Sequence, residues 1–532
     1  MQYKNYLSFI VLFFVCTLLN AQEGTPYFGE SCTSIMVGKN ATTDGSVITS
    51  HTCDGNYRTW LEMVPAMDHA DTVLKEIKWG TLHTETPWDT RKLELKGTIP
   101  QVSHTFAFLN TAYPCLNEKQ LGIGETTFVG KRELRNKKGL FLIEDLQRIA
   151  LERCSTARDA IKLIGELILE YGYGDYGECI TIADKNEVWQ LEILGEGPDK
   201  VGGVWAAQRI PDGHVGISAN IARIGEIDFK DKDYFMASKN VKKVAKKLDY
   251  WDGKKPFVFW KAYSNWDKPF SIREYFVLNA VAPSLKLDYT AEEIPFSVKP
   301  DEKVSVEKVM ELYRETYADT DYDMLKNLFF FKDKKNKEGE VIGQDTIVYP
   351  GASPWMSRDL IRLFNSLKDS TVVRVRTVAV AWCSYSEIIQ LRDWLPDEVG
   401  GVAWFSFDNA AQSPRIPIFA GSTSLPKGFE VCGQHQYRED AAIWNFRKAN
   451  KLATVNWQKS KEIIDKNVMA FQTKALEDMP VLEAKVKALI TEGKTEEARE
   501  YLTKYTETFA GSAMQKWLEM EKLFWGKYGR AF

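Results

Sequence analysis

Beyond its first 21 residues the chain lacks any long apolar run. No later stretch approaches the roughly 20 consecutive apolar residues that a membrane-spanning helix needs. It lacks an excess of positive charge: the formal net charge is −4, which leaves no basic face or tail for a phosphate backbone and argues against nucleic acid as a partner. Only six histidines are scattered over 532 residues, and no HExxH pair is among them. No phosphate-binding GxxxxGK[ST] loop and no GxSxG nucleophile elbow occurs. "GYGDYG" (172–177) matches GxGxxG by letter. It follows a helical pattern and precedes a strand, the reverse of what a dinucleotide fingerprint requires. No CxxC pair is present, so neither a redox pair nor a regular disulfide framework is indicated. Cys432 and His435 have CxxH spacing, but no second ligand pair accompanies them in the sequence. Nothing in the sequence calls for a metal or cofactor.

What is present is an exported, soluble-type composition. Hydrophobic residues make up 44% and charged residues 27%, and 16 tryptophans can fill a large core. The length suits two to four domains or one large domain with additions. Lys4, the apolar "YLSFIVLFFVCTLL" and Ala21 predict a secretory signal over 1–21, and hence a secreted or periplasmic protein. Val15 before Cys16 does not suit a lipoprotein cleavage site. Cys16 leaves with the signal. Cys32, Cys53, Cys115, Cys154, Cys179, Cys383 and Cys432 remain, an odd set that demands at least one unpaired thiol.

The pattern after the signal is that of an α+β protein. Residues 22–31 read as a short extended leader. "CTSIMVG" and "SVITSHTC", joined by the turn-rich "KNATTDGS", predict a β-hairpin that opens on Cys32. Two helices follow at "LFLIEDLQRIALERC" and "TARDAIKLIGELILEYG", the second with Thr156 and Asp159 spaced as a capping box. Two more hairpins are predicted, "ECITIAD" with "EVWQLEIL" and, across "PDG", "VWAAQRI" with "HVGISAN". "SVEKVMELYRETYAD" reads as a helix, "FKDKKNKEGE" as a charged loop, and "TVVRVRTVAVAW" and "GGVAWFSFDNA" as strands. From about residue 440 the chain is helical to its end. Strand hairpins with interleaved helices suit antiparallel sheets covered by helices.

With the leader removed, Cys32 carries a thiol and a free α-amine on one residue. The reference pKa values are about 8.5 and about 7.7–8.0, so the amine can act as base near neutral pH while the thiol attacks a carbonyl. A strand starting at the nucleophile would hold that terminus rigidly.

Here the sequence resembles the cysteine-type N-terminal nucleophile (Ntn) hydrolases, and among them the secreted dipeptidases related to penicillin V acylase and bile salt (choloylglycine) hydrolase. The stretches that carry the resemblance are "CTSIMVGKNATTDGSVI", "LNEKQLGIGETTF", the run from "LERCSTARD" to "NEVWQLE", "VWAAQRIPDGHVGISANIARI" and "LPDEVGGVAWFSFDNAAQSPRIPIFAG". The resemblance implies an αββα sandwich of two antiparallel sheets and amide hydrolysis through an acyl-enzyme on Cys32. It implies leader removal, by self-cleavage or by another protease. It places a carboxylate, Asp54, near the catalytic amine, and asparagine amides, Asn117 and Asn220, where an oxyanion would form. His51 stands where relatives tend to carry arginine, so a charge there would depend on pH. Arg223, three residues after Asn220, is a further candidate for substrate binding. The implied organisation is a signal (1–21), a leader (22–31), a peptidase domain with insertions (32–445) and a helical extension (446–532), whose tail is an expected place for contacts in a homo-oligomer. The implied partners are short peptide substrates. A penicillin V or bile-salt type amide hydrolase, and an inert exported binding protein on the same fold, remain as alternatives at this point.

Overall fold

The computed structural model describes residues 31–530. The predicted signal, and all of the predicted leader except Ser31, lie outside the described residues.

Two large sheets dominate. A seven-stranded sheet runs, in spatial order, Ser297–Val298, Val215–Ser218, Ser34–Val37, Val47–Asp54, Cys383–Leu391, Val402–Phe407 and Ile416–Phe419. The eight-stranded sheet runs Phe235–Ala237, Gly203–Ile210, Val188–Gly195, Gly177–Ala183, Gly122–Val129, Leu116–Asn117, Phe108–Asn110 and Glu62–Val64. Every strand pair in both is antiparallel. The central strands Val47–Asp54, Gly177–Ala183, Val188–Gly195 and Cys383–Leu391 are buried at every residue, which is what a strand covered on both faces requires.

The sheets meet face to face. Thr49 Oγ1 lies 2.6 Å from Thr181 Oγ1, and Thr126 Oγ1 lies 2.6 Å from Ser218 Oγ. Gly124 makes the close approach possible, because a Cβ there would sit 2.2 Å from the Ser50 carbonyl oxygen. Helices Ile143–Arg153 and Ala157–Tyr171 lie against the eight-stranded sheet. Thr156 caps the second of them by accepting from the Asp159 N–H, and Gly172, at φ 82°, ends it. Helices Ile272–Val281, Val306–Leu312, Ala442–Ala453 and Thr495–Tyr528 lie against the other sheet. The long helices Trp457–Thr491 and Thr495–Tyr528 share one hydrophobic cluster with the seven-stranded sheet, with Trp517 fully buried. Among the described residues no helix is long and apolar enough to cross a membrane.

Three local expectations are corrected. "VWAAQRI" and "HVGISAN" are both strands, but they do not pair with each other. Gly203–Ile210 stays in the eight-stranded sheet, whereas Val215–Ser218 crosses to pair with Ser34–Val37, setting Ser218 opposite Ser34. A turn signal specifies a reversal of direction, and the partner strand is chosen by tertiary packing. "TVVRVRTVAVAW" alternates like a strand, yet no ladder forms until Cys383. Its Arg376 is drawn to Asp54, and the backbone follows that contact instead of a neighbouring strand. The charged "FKDKKNKEGE" is not a loop: it belongs to an exposed ribbon pairing Phe329–Lys335 with Val341–Val348.

Candidate active site

The Ser34–Val37 strand begins two residues after Cys32, in the middle of the seven-stranded sheet and against the other sheet. Cys32 is buried and its main chain is held at both ends. Its N–H donates to Asn220 Oδ1 at 2.9 Å, and its carbonyl accepts from Arg273 Nη1 at 2.6 Å. The preceding residue is also fixed. Ser31 and Asp54 exchange both backbone bonds, at 2.8 and 3.0 Å, so the Ser31–Cys32 peptide bond lies clamped along the end of the Val47–Asp54 strand.

The crossing strand Val215–Ser218 is what delivers Asn220 to this place. Asn220 takes the left-handed conformation (φ 66°), which asparagine tolerates better than most residues. Its Oδ1 accepts from Cys32 N–H and from Arg273 Nη2 at 2.8 Å, and one Nδ2 hydrogen goes to the Thr127 carbonyl at 2.7 Å. Two N–H donors on one oxygen fix the amide orientation, and the second Nδ2 hydrogen is left to serve a ligand.

Asp54 ends its strand with a buried side chain. Its Oδ2 accepts from Arg376 Nη2 at 2.6 Å and from Thr52 Oγ1 at 3.0 Å, while Oδ1 is buried with no hydrogen-bond partner. Arg376 also reaches Ser31 Oγ at 2.8 Å.

The thiol faces a carboxyl group. Cys32 Sγ lies 3.5 Å from Glu125 Oε2, and Thr127 Oγ1 donates to Glu125 Oε1 at 3.2 Å. Burial, followed by the negative charge of Glu125, pushes the Cys32 thiol well above its ordinary range. Burial also raises Glu125 to about 7, and burial together with the negative charge of Glu125 raises Glu178 well above the usual carboxylate range. A thiol so placed stays protonated until a base takes its proton, so the site needs one.

His51 is fully buried and loses its proton easily: desolvation lowers its pKa to about 4. Its Nδ1 lies 2.6 Å from the Glu125 carbonyl oxygen, and its ring packs edge-on to Tyr113 at 5.4 Å. A ring nitrogen of His51, Cys32 Sγ and a Glu125 oxygen all lie within 4.8 Å of one another. The expected pH-dependent charge is therefore absent near neutrality. The cation beside Cys32 is Arg273 instead, from the helix Ile272–Val281; burial lowers it only to about 10, so it stays charged.

This has a measurable consequence for stability. The unfolded imidazole titrates near 6.5 and the folded one near 4, so the unfolded chain binds more protons in between. Stability from the buried neutral ring is fully present above pH 6.5 and lost as pH falls toward 4. The unfolding free energy of the parent, minus that of His51→Gln, should fall by about 3 kcal/mol between pH 7 and pH 4. Urea titrations at the two pH values measure it, and an unchanged difference would mean that His51 is not buried as a neutral ring.

Two of the residues predicted from the sequence spend their donors elsewhere. Asn117 donates both amide hydrogens to the Leu151 and Cys154 carbonyls, at 2.8 and 2.9 Å. It plugs the C-terminal end of the helix Ile143–Arg153 and has no donor left for an oxyanion. Arg223 donates to the carbonyls of Pro269, Pro295 and Phe296, fastening two loops instead of presenting its charge to a ligand. Conversely Glu125, Arg273 and Arg376 join the site without having been picked out from the sequence. An arginine set in an apolar neighbourhood, as in "FSIREYFVL" and "VVRVRTVAV", was the only signal for two of them.

A pocket of about 250 Å³ reaches Arg376 and is also lined by Arg358, Arg374, Trp355 and Trp382. Its character is cationic and aromatic. The seven cysteines of the described residues are all unpaired and buried, so the thiol at the strand start is distinguished by its surroundings and not by being free.

The chain is similar to known proteins over most of its length. The chain is 24% identical over 479 residues to a probable dipeptidase of Latilactobacillus sakei, covering 84% of this chain and 88% of that protein. It is 23% identical to a probable dipeptidase B of Streptococcus pyogenes serotype M1, covering 85% and 82%. With a probable dipeptidase of Salmonella dublin the identity is 24%, covering 80% and 87%. The model of Peptidase family C69 matches residues 31–469, a span that starts one residue before the thiol and takes in both sheets; the chain belongs to peptidase family C69.

Proposed function

We propose that the protein is an exported dipeptidase that cleaves short peptides with Cys32 as an N-terminal nucleophile, on an Ntn-hydrolase αββα sandwich. The observation that carries the reading is the convergence on Cys32: its thiol, its main-chain nitrogen on Asn220, and the clamped peptide bond before it. The relatives named as dipeptidases support the substrate class.

Cleavage between Ser31 and Cys32 turns the N–H on Asn220 into an α-amine anchored at the same oxygen. The uncharged amine removes the Cys32 proton, and Sγ forms a bond to the substrate carbonyl carbon. Asn220 Nδ2–H donates to the resulting oxyanion. Collapse breaks the C–N bond as the protonated amine returns its proton to the leaving nitrogen. Water then hydrolyses the thioester with the amine again acting as base. Asp54, held by Arg376, has an unpartnered Oδ1 to receive the ammonium form.

N-terminal sequencing of the protein recovered from its native export route tests the reading. The expected first residue is Cys32. An active chain that begins at Gln22 would rule the mechanism out, because the amine would be tied up in a peptide bond.

A further inference from the structure

We propose that Glu85, Cys432 and His435 form a binding site for one zinc-like divalent cation, which pins the turn that follows the Asp54 strand. The sequence shows only the CxxH half. The fold supplies a third ligand from 350 residues earlier in the chain: Glu85 Oε1 lies 2.9 Å from His435 Nδ1. Cys432 Sγ lies 3.6 Å from the same nitrogen, and the three ligand atoms are within 4.8 Å of one another.

The sulfur–nitrogen distance is that of a metal edge, and the shorter nitrogen–oxygen contact is a hydrogen-bonded ion pair that an entering cation would have to open. Tetrahedral zinc with bonds of about 2.3 Å to sulfur and about 2.0–2.1 Å to nitrogen sets those atoms about 3.6 Å apart. His435 is presented as a metal ligand is. Its Nε2 lies 3.3 Å from the Asn56 carbonyl and can donate there, so that a cation would take the place of the Nδ1 proton that Glu85 accepts. One nitrogen facing two acceptors can satisfy only one of them with a proton, whereas a cation satisfies both. Glu85 Oε2 is buried without a partner, so the carboxylate has an oxygen to spare. The backbones are already locked: Cys432 N–H donates to the Glu85 carbonyl at 2.9 Å, and Gly433 N–H to Thr59 Oγ1 at 3.0 Å. Thiolate, imidazole and carboxylate together suit zinc and exclude the oxygen-only preferences of magnesium and calcium. Binding requires the thiol to give up its proton.

The site sits where it can matter to the strand that carries His51 and Asp54. Gln434 Nε2 donates to the Gly55 carbonyl at 2.7 Å, and His435 faces that of Asn56, so both residues after Asp54 are held by the Cys432–His435 segment.

The experiment uses the full chain carrying Cys32→Ala, which removes the other Cys–His–Glu group. Titration with Co²⁺ should yield one equivalent bound, with a sulfur-to-metal charge-transfer band, and Zn²⁺ should displace it. Adding Cys432→Ser should abolish the band. Adding Glu85→Gln or His435→Gln should weaken affinity by at least about 100-fold. Cys432 is buried and reacts only through local opening, so Zn²⁺ should slow its alkylation further, as located by peptide mapping, a readout that needs no variant at the site. Absence of bound metal, a spectrum unchanged by Cys432→Ser, or protection of a different cysteine would overturn the proposal. So would metal-insensitive oxidation of Cys432, which would mark the cluster as a redox thiol.

Discussion

Cys32→Ala is expected to abolish peptide hydrolysis, by on the order of 10⁴–10⁶-fold in kcat, while the protein folds nearly as before. The size of the effect follows from covalent catalysis: without Sγ no acyl-enzyme forms, and an amine and an oxyanion donor alone supply only a residue of the rate. The mildness of the structural effect follows from which atoms of Cys32 hold the fold. Its contacts to Asn220 and Arg273 are main-chain contacts, which alanine keeps. The lost sulfur leaves a small buried void, costing about 1 kcal/mol. Assay of the variant on a set of dipeptides, alongside its thermal melt, checks both halves. Full activity would remove the thiol from the reaction. The first residue of the variant is informative too. A chain that retains its leader points to self-processing by Cys32, and one that starts at Ala points to a separate protease.

Loss of the Asn220 amide is expected to lower kcat by about 10²–10³-fold with little change in KM, because an oxyanion donor acts on the transition state and not on the bound peptide. The substitution must respect the left-handed backbone at this position, so Asn220→Gly is preferred to alanine. Glycine also removes the acceptor for Cys32 N–H and Arg273. Asn220→Asp separates the two roles. It keeps an oxygen for the amine and for Arg273 but has no N–H for the oxyanion. Equal loss in both variants assigns the effect to the donor, and activity retained in Asn220→Asp would assign it to anchoring of the amine.

The features that were legible in the sequence are those that local chemistry marks. Cys32 stands at the head of a β-branched run, Thr156 and Gly172 bracket an amphipathic helix, and Asp54 closes the second strand of the opening pair. The placement of Asn117 was not legible, for a physical reason. An asparagine amide has the same appearance in the sequence whether its hydrogens serve an oxyanion or the carbonyls at the end of a helix, and only the position of Leu151 and Cys154 decides it. The strand reading of "TVVRVRTVAVAW" failed similarly, since alternation reports burial on one side and says nothing about whether a ladder partner lies alongside.

By itself the sequence determined the alternation of strands and helices, the unpaired thiol and its place at a strand start. These depend on side-chain periodicity and residue chemistry within a few positions. The tertiary structure alone decided which strand lies beside Cys32, and therefore that Asn220 reaches its nitrogen. It alone brought Arg273 and Arg376 to Cys32 and Asp54, and Glu85 to Cys432 and His435. Those contacts join residues tens to hundreds of positions apart. Their energy comes from burying charges that must find partners inside a closed pair of sheets, and no local pattern records which partner each will find.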